Sequence, residues 1–177
     1  MALTTALRIN MTGLQPNAVE EGKRYRAAIE MAEYVDRAGF DIVNMEEHHC
    51  ADNGWLPSPL TMAAAVASRT KHVRISVTAL LVTLYDPIRL AEDIAVIDLL
   101  SNGRFSFVAG SGYRPEEYHA MDKDWAARGR LMDEVIDTLL KAWTGEPFEY
   151  QGKQVRVTPI PQSQPHPFFF IGGMSAI

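Results

Sequence analysis

Residues Ala91 to Tyr118, AEDIAVIDLLSNGRFSFVAGSGYRPEEY, limit the fold of this chain more than any other stretch, because they join a helix, a buried strand and a glycine-rich, charged turn without spare residues. Ala91, Ile94, Ala95, Ile97 and Leu99 or Leu100 give a mostly apolar helix, and Asn102-Gly103 supplies its stop with a residue able to take positive φ. Phe105 to Ala109 is a short apolar run, the pattern of a strand covered on both faces. The next residues, Gly110 to Glu117, let the backbone approach a ligand closely and open a helix at Pro115. This is one unit of a parallel α/β protein with a site at the strand's C-terminal end, and such a turn can hold a phosphate.

The same rhythm runs along the chain. Ala6 to Met11 reads as a first strand, Glu20 to Ala38 as a helix ended at Gly39, and Phe40 to Met45 as a second strand. Pro59 to Thr70 is a small-residue helix, Val73 to Leu84 a longer third strand, and Pro87 opens the apolar helix described above. After the fourth strand, Arg128 to Thr144 is an amphipathic helix, Phe148 to Val157 a β-hairpin excursion around Gln151-Gly152-Lys153, and Phe168 to Ile171 a fifth strand. Alternating strands and helices argue for a parallel sheet.

Glu46-Glu47-His48-His49 falls where the second strand leaves the sheet, the end at which barrels and open α/β sheets do chemistry. Neighbouring side chains on an extended segment point opposite ways, so only one of His48 and His49 faces a pocket. Two readings stand for the pair: proton transfer near neutrality, or hydrogen bonds that only hold a loop. A metal site built from Glu46, Glu47, His48, His49, Asp52 and His72 ranks below both, because there is no HxH on a strand and no HExxH on a helix. Cys50 lacks an identifiable base and orienting group, and reads as a small, partly buried filler. For the Gly110 to Glu117 turn, one reading aims backbone N–H groups, the Ser111 and Tyr113 hydroxyls and Arg114 at an anion. The other has the glycines only making a tight turn, with Arg114 paired to Glu116 or Glu117.

A chain of 177 residues with 47% hydrophobic content is long enough for one sizeable core. A formal net charge of -5 and scattered basic residues argue against a nucleic-acid or anionic-membrane surface. The single cysteine, Cys50, excludes an intrachain disulfide, and the N-terminus lacks the pattern of a signal peptide; a cytoplasmic setting is expected.

Five blocks carry a resemblance: EEHH at Glu46 to His49, SPLTMAAAVASRT at Ser58 to Thr70, DPIRLAEDIAVIDLLSNGRF at Asp86 to Phe105, GSGYRPEEY at Gly110 to Tyr118, and IGGMS at Ile171 to Ser175. In this order and spacing they resemble the bacterial luciferase-like flavin-dependent monooxygenases, TIM (β/α)8-barrel enzymes that use reduced FMN or a related deazaflavin. The resemblance spans nearly the whole chain and matches the first half to two-thirds of a family member. A complete barrel takes ~250 residues. The expected architecture is therefore a single domain over 1–177, an incomplete barrel of about five parallel strands with a β-hairpin insertion. Its first and fifth strands would have unpaired edges and part of an apolar inner face would lie uncovered.

The resemblance implies His48 as the catalytic residue beside the flavin ring, with Glu47 next to it in the cofactor site. It implies a floor for the ring at Thr78 and Ala79, often joined by a non-prolyl cis peptide in the family. Gly110, Ser111, Gly112 and Tyr113 would face the phosphate or ribityl chain, although luciferase itself carries an arginine at the position of Ser111. Gly173, Met174 and Ser175 would supply a second set of phosphate donors. Independently of the resemblance, the place of Trp55 in the loop after the second strand would let it border a substrate pocket. The implied activity is a monooxygenase that takes reduced FMN from a separate flavin reductase and uses molecular oxygen on a small organic substrate. The alternatives are a deazaflavin-dependent hydride-transfer oxidoreductase and a catalytically inactive flavin-binding or scaffold fragment. Surplus apolar positions on the helices Pro59 to Thr70 and Ile88 to Leu100 fit a homodimer.

Overall fold

A computed structural model describes residues 3–13 and 17–173. In chain order the elements are β1 (Ala6–Ile9), α1 (Ala18–Arg37), β2 (Ile42–Met45), α2 (Pro59–Arg69), β3 (Arg74–Leu80), α3 (Pro87–Ser101), β4 (Phe105–Ala109), α4 (Pro115–Ala120), α5 (Arg128–Ala142), β5 (Phe148–Tyr150), β6 (Lys153–Val155) and β7 (Phe168–Ile171). Five strands form one sheet in the order β1-β2-β3-β4-β7, every pair parallel, and β5 and β6 form a separate antiparallel hairpin. The parallel sheet and the hairpin excursion are those expected from the strand and helix pattern, and five strands in this order agree with the incomplete barrel that the resemblance implies.

Local chemistry sets the element ends. Asn17 accepts from the N–H groups of Val19 and Glu20 at the start of α1, and Asp86 accepts from Arg89 N–H at the start of α3, where Pro87 follows. Asn102 and Gly103 both take positive φ, 57° and 75°, and Gly103 N–H returns to Asp98 O at 2.9 Å, so α3 ends and the chain turns directly into β4. Arg104 then gathers carbonyls: its guanidinium donates to Ala67 O in the last turn of α2, to Thr70 O and Val73 O beyond it, and to Ser101 O. Asp36, near the end of α1, accepts the backbone N–H groups of Lys71, His72 and Val73 at 3.0, 2.7 and 2.8 Å, fixing the approach to β3. Fully buried Asp98 accepts from Ser163 N–H and Ser163 Oγ, and Gln162 donates to Asn102 Oδ1. The segment before β7 is thereby bound to the end of α3.

One sheet face is a packed core. Val43, Met45, Ile75, Val77, Phe105 and Phe107 lie against the helices, and Phe107 stacks on Phe169 with ring centroids 5.2 Å apart. The other, concave face differs from expectation. Across one register row it carries Arg8, Asn44, Ser76, Ser106 and Phe168, and across another Thr78, Val108 and Phe170. The inner face of β1 to β4 is thus largely polar, because small polar residues alternate with the core residues on each strand. The exposed apolar strip is concentrated on β7, where Phe168, Phe170 and Ile171 are 59%, 60% and 65% exposed.

Two further readings need correction. The third strand stops at Leu80 instead of Leu84: the register shifts between Thr78 and Leu80, Leu81 N–H turns to a carboxylate of Glu47, and Val82–Leu84 form a 3-10 turn. Cys50 is exposed at a positive φ of 50°, in the turn after β2, and fills no core space.

Candidate functional site

The C-terminal ends of β1 to β4 and β7 enclose a cavity of about 720 Å³, within the ordinary size of small-molecule sites. Its lining combines aromatic and polar residues, Glu46, Glu47, His48, Trp55 and Tyr113, with small ones, Thr78, Ala79, Gly110, Ser111, Gly112, Gly172 and Gly173. Every residue that the resemblance placed at the flavin site lines this cavity, apart from Met174 and Ser175, which lie outside the described residues; Arg114, the other candidate for an anion, does not line it. Arg8 and Glu46, which pair at 2.6 Å, stand at its rim.

The two adjacent histidines separate. His48 is buried, its ring 4.0 Å from the Trp55 ring at an interplanar angle of 31° and 5.5 Å from that of Tyr113. Its Nδ1 lies 3.0 Å from Glu117 Oε1 and its Nε2 lies 3.4 Å from the Tyr113 hydroxyl. His49 turns to another hollow, lined also by Pro57, Tyr85 and Asp93, and its Nε2 meets Glu47 Oε1 at 2.8 Å. Of the two histidines only His48 lines this cavity.

Two buried carboxylates organise this end of the sheet. Glu47 reaches the cavity wall, yet both its oxygens are engaged: Oε2 accepts Leu81 N–H at 2.6 Å, and Oε1 accepts the Tyr85 hydroxyl at 2.5 Å along with His49. Burial, followed by the Glu47 charge, drives the Tyr85 hydroxyl far above the ordinary tyrosine range, so it remains a donor. Glu117, fully buried on α4, accepts His49 N–H at 2.9 Å as well as facing His48, and Arg114 approaches the same oxygen at 3.5 Å. Arg114 therefore takes the inward pairing, with Glu117.

The small-residue wall comes from close approach of the strand ends. A Cβ on Gly110 would sit 2.8 Å from Ala79 Cβ, so that position admits only glycine without movement. Thr78-Ala79 is a cis peptide bond. Gly110 N–H donates to Leu80 O, which removes it from the expected anion donors; Ser111 and Gly112 N–H donate to no described residue. Tyr118, hydrogen-bonded to Thr83, donates to Ser111 O and fixes the turn from beneath. Small side chains and glycines lining the same cavity as Trp55 and His48, with the Ser111 and Gly112 amides among them, fit a planar ring carrying an anionic tail. Among the described residues no group of three or more His, Cys, Asp or Glu side chains is arranged to hold a metal ion, and no helix is long and apolar enough to cross a membrane.

Sequence reasoning missed Glu117 as the partner of His48, and missed Tyr85, Thr83 and Tyr118 as supports. Glu117 and His48 stand 69 positions apart, and the visible local signal was only the Arg114 to Glu117 spacing of one helical turn.

Comparison with known proteins adds the following. The family model described as luciferase-like monooxygenase matches residues 7–177. The oxygenase component of a flavin-dependent trigonelline monooxygenase from Acinetobacter baylyi is 30% identical over 151 residues, covering 81% of this chain and 41% of the relative. Monooxygenase RslO1 from Streptomyces bottropensis superposes with a TM-score of 0.83 at 26% identity, covering 96% of this chain and 53% of that one. The oxygenating constituent of 3,6-diketocamphane monooxygenase from Pseudomonas putida, solved with FMN, superposes with a TM-score of 0.84 at 21% identity, covering 99% and 52% of the two chains and showing a shared fold. The chain spans less than half the length of curated relatives such as the trigonelline enzyme.

Proposed function

The chain belongs to the luciferase-like monooxygenase family, and from that premise we propose that its cavity binds reduced FMN and serves a monooxygenase acting on a small organic substrate. The observation that carries the reading is that one histidine, His48 packed against the Trp55 ring, lines the same cavity as the small residues Thr78, Ala79 and Gly110. When bound, the flavin would supply the electrons that activate molecular oxygen. Thr78 and Ala79 would support the ring, the Ser111 and Gly112 amides would face its phosphate with Ser175 as a further donor, and Trp55 would exclude water. His48 would move protons at Nε2, the ring nitrogen on the cavity side.

The trigonelline relative is an oxygenase component, which supports a separate flavin reductase as partner. Val96, Leu99 and Leu100, 43%, 43% and 53% exposed on α3, support a homodimer through this helix. The single cysteine and acidic balance suit the cytoplasm.

Anaerobic titration with FMN, followed by tryptophan fluorescence, tests the reading. Quenching is expected, and His48→Ala is expected to slow turnover by about 10²–10⁴-fold while leaving FMN affinity nearly unchanged. Quenching by a deazaflavin and not by FMN would transfer the site to the hydride-transfer alternative. Absence of binding by either, or equal losses from His49→Ala, would refute it.

A further inference from the structure

The cavity-facing histidine is held from behind by a group no motif assigns. Glu117 Oε1 lies 3.0 Å from His48 Nδ1, and the side chains of the two are 1% and 9% exposed. The same oxygen accepts His49 N–H at 2.9 Å and faces the Arg114 guanidinium at 3.5 Å. An oxygen receiving a backbone donor beside a cation acts as an acceptor, and a carboxylate has no hydrogen to give. The nitrogen opposite it must therefore carry the hydrogen.

We propose that Glu117 is a positioning residue that fixes His48 as the Nδ1–H tautomer, so that the ring presents the Nε2 lone pair to whatever occupies the cavity. Trp55, with its ring centroid 4.0 Å away and inclined by 31°, packs against the imidazole. Tyr113, whose hydroxyl lies 3.4 Å from Nε2, is the resting donor to that lone pair. His48 is then a proton acceptor toward a ligand, and once it holds a proton at Nε2 its positive charge faces Glu117. A buried carboxylate has the same relation to the histidine of a Ser-His-Asp triad. The assignment of a flavin-bound substrate or flavin as the proton's source rests on the proposed function; the tautomer does not.

The test is made on the ligand-free chain labelled with ¹⁵N in its histidine rings, by long-range ¹H–¹⁵N correlation at a pH where the spectrum itself shows a neutral His48. Expected is a pyrrole-type Nδ1 and a pyridine-type Nε2, with a preference of about tenfold or more, the ratio a charge-assisted hydrogen bond sustains. Glu117→Ala removes the acceptor and shifts the ring toward the Nε2–H form. Glu117→Gln restores the Nδ1–H form, because its oxygen fits the Oε1 position while its NH2 group takes the place of Oε2, which has no hydrogen-bond partner among the described residues. A hydrogen on Nε2 in the parent chain, or an unchanged tautomer in Glu117→Ala, overturns the proposal. If Glu117→Ala does not fold, the parent and Glu117→Gln spectra decide it. Because no flavin is present, a failure to bind FMN and a failure of the tautomer are read separately.

Discussion

Replacing Glu47 by alanine should destabilise the chain by about 2–4 kcal/mol, a figure that follows from the donors left behind. Leu81 N–H, on a residue 4% exposed, loses its acceptor at 2.6 Å; an orphaned buried amide costs about 1–3 kcal/mol. The Tyr85 hydroxyl loses a charged acceptor at 2.5 Å, worth about 1 kcal/mol after it reorients. His49 lies nearer solvent and contributes little. Removing a buried charge returns some desolvation energy, which keeps the total from rising further. Urea denaturation should show a lower midpoint with unchanged slope, and heating a fall in Tm of roughly 5–12 °C for a chain of this size. Tyr85→Phe alone should cost about 1 kcal/mol, and the double variant should fall short of additivity by about that amount. Glu47→Gln should cost only about 1 kcal/mol, since its oxygen still serves Leu81 and Tyr85 can turn to accept from its NH2. A loss below 1 kcal/mol in Glu47→Ala, or strict additivity with Tyr85→Phe, would refute the network as described.

Burial opposes the charge of Asp36, but the N–H groups of Val73, His72 and Lys71 outweigh it and hold its carboxyl below the usual carboxylate range. Its contribution is thus complete above the unfolded value, near pH 4, and is lost as pH falls through the lower folded value. Asp36→Asn should be less stable than the parent at pH 7, with the gap closing below about pH 4 in thermal melts; a gap that is constant with pH would contradict this. The apolar strip on β7 should drive self-association, so Phe168→Glu with Phe170→Glu should lower the sedimentation coefficient at high concentration, and identical sedimentation of parent and variant would remove that strip from consideration.

How much could be read in advance depended on whether the signal was local. Phe105–Ala109 and Phe168–Ile171 emerge with the expected bounds because each is an apolar run closed by residues that cannot extend it. The run Val73 to Leu84 misled because Val82, Thr83 and Leu84 suit a strand and a buried 3-10 turn equally, and what bends them out is a carboxylate 34 positions earlier. The polar inner face was legible in Ser76 and Ser106, each flanked by core residues, and in Thr78 next to Val77, but is lost if only the apolar members of a strand are counted. His48 and the Gly110 turn were legible through position at strand ends. Glu117 was not, since nothing local indicates that a helix beyond the turn folds back over the second strand's loop.

The grip of Asp98 on Ser163 has a kinetic side. β4 and β7 pair Ser106 with Phe168, roughly 60 residues apart along the chain. Once Asp98 holds Ser163, the remaining open contour between those two residues shrinks to about a dozen, because Asp98 lies just before β4 and Ser163 just before β7. By the logarithmic scaling of loop entropy this removes about 1.4 kcal/mol from the cost of closing the last strand onto the sheet. While that contact holds, a buried carboxylate keeps β7, the last strand of the sheet in sequence, a near neighbour of β4 even where its own hydrogen bonds are broken, and the hairpin between them can fray without releasing it.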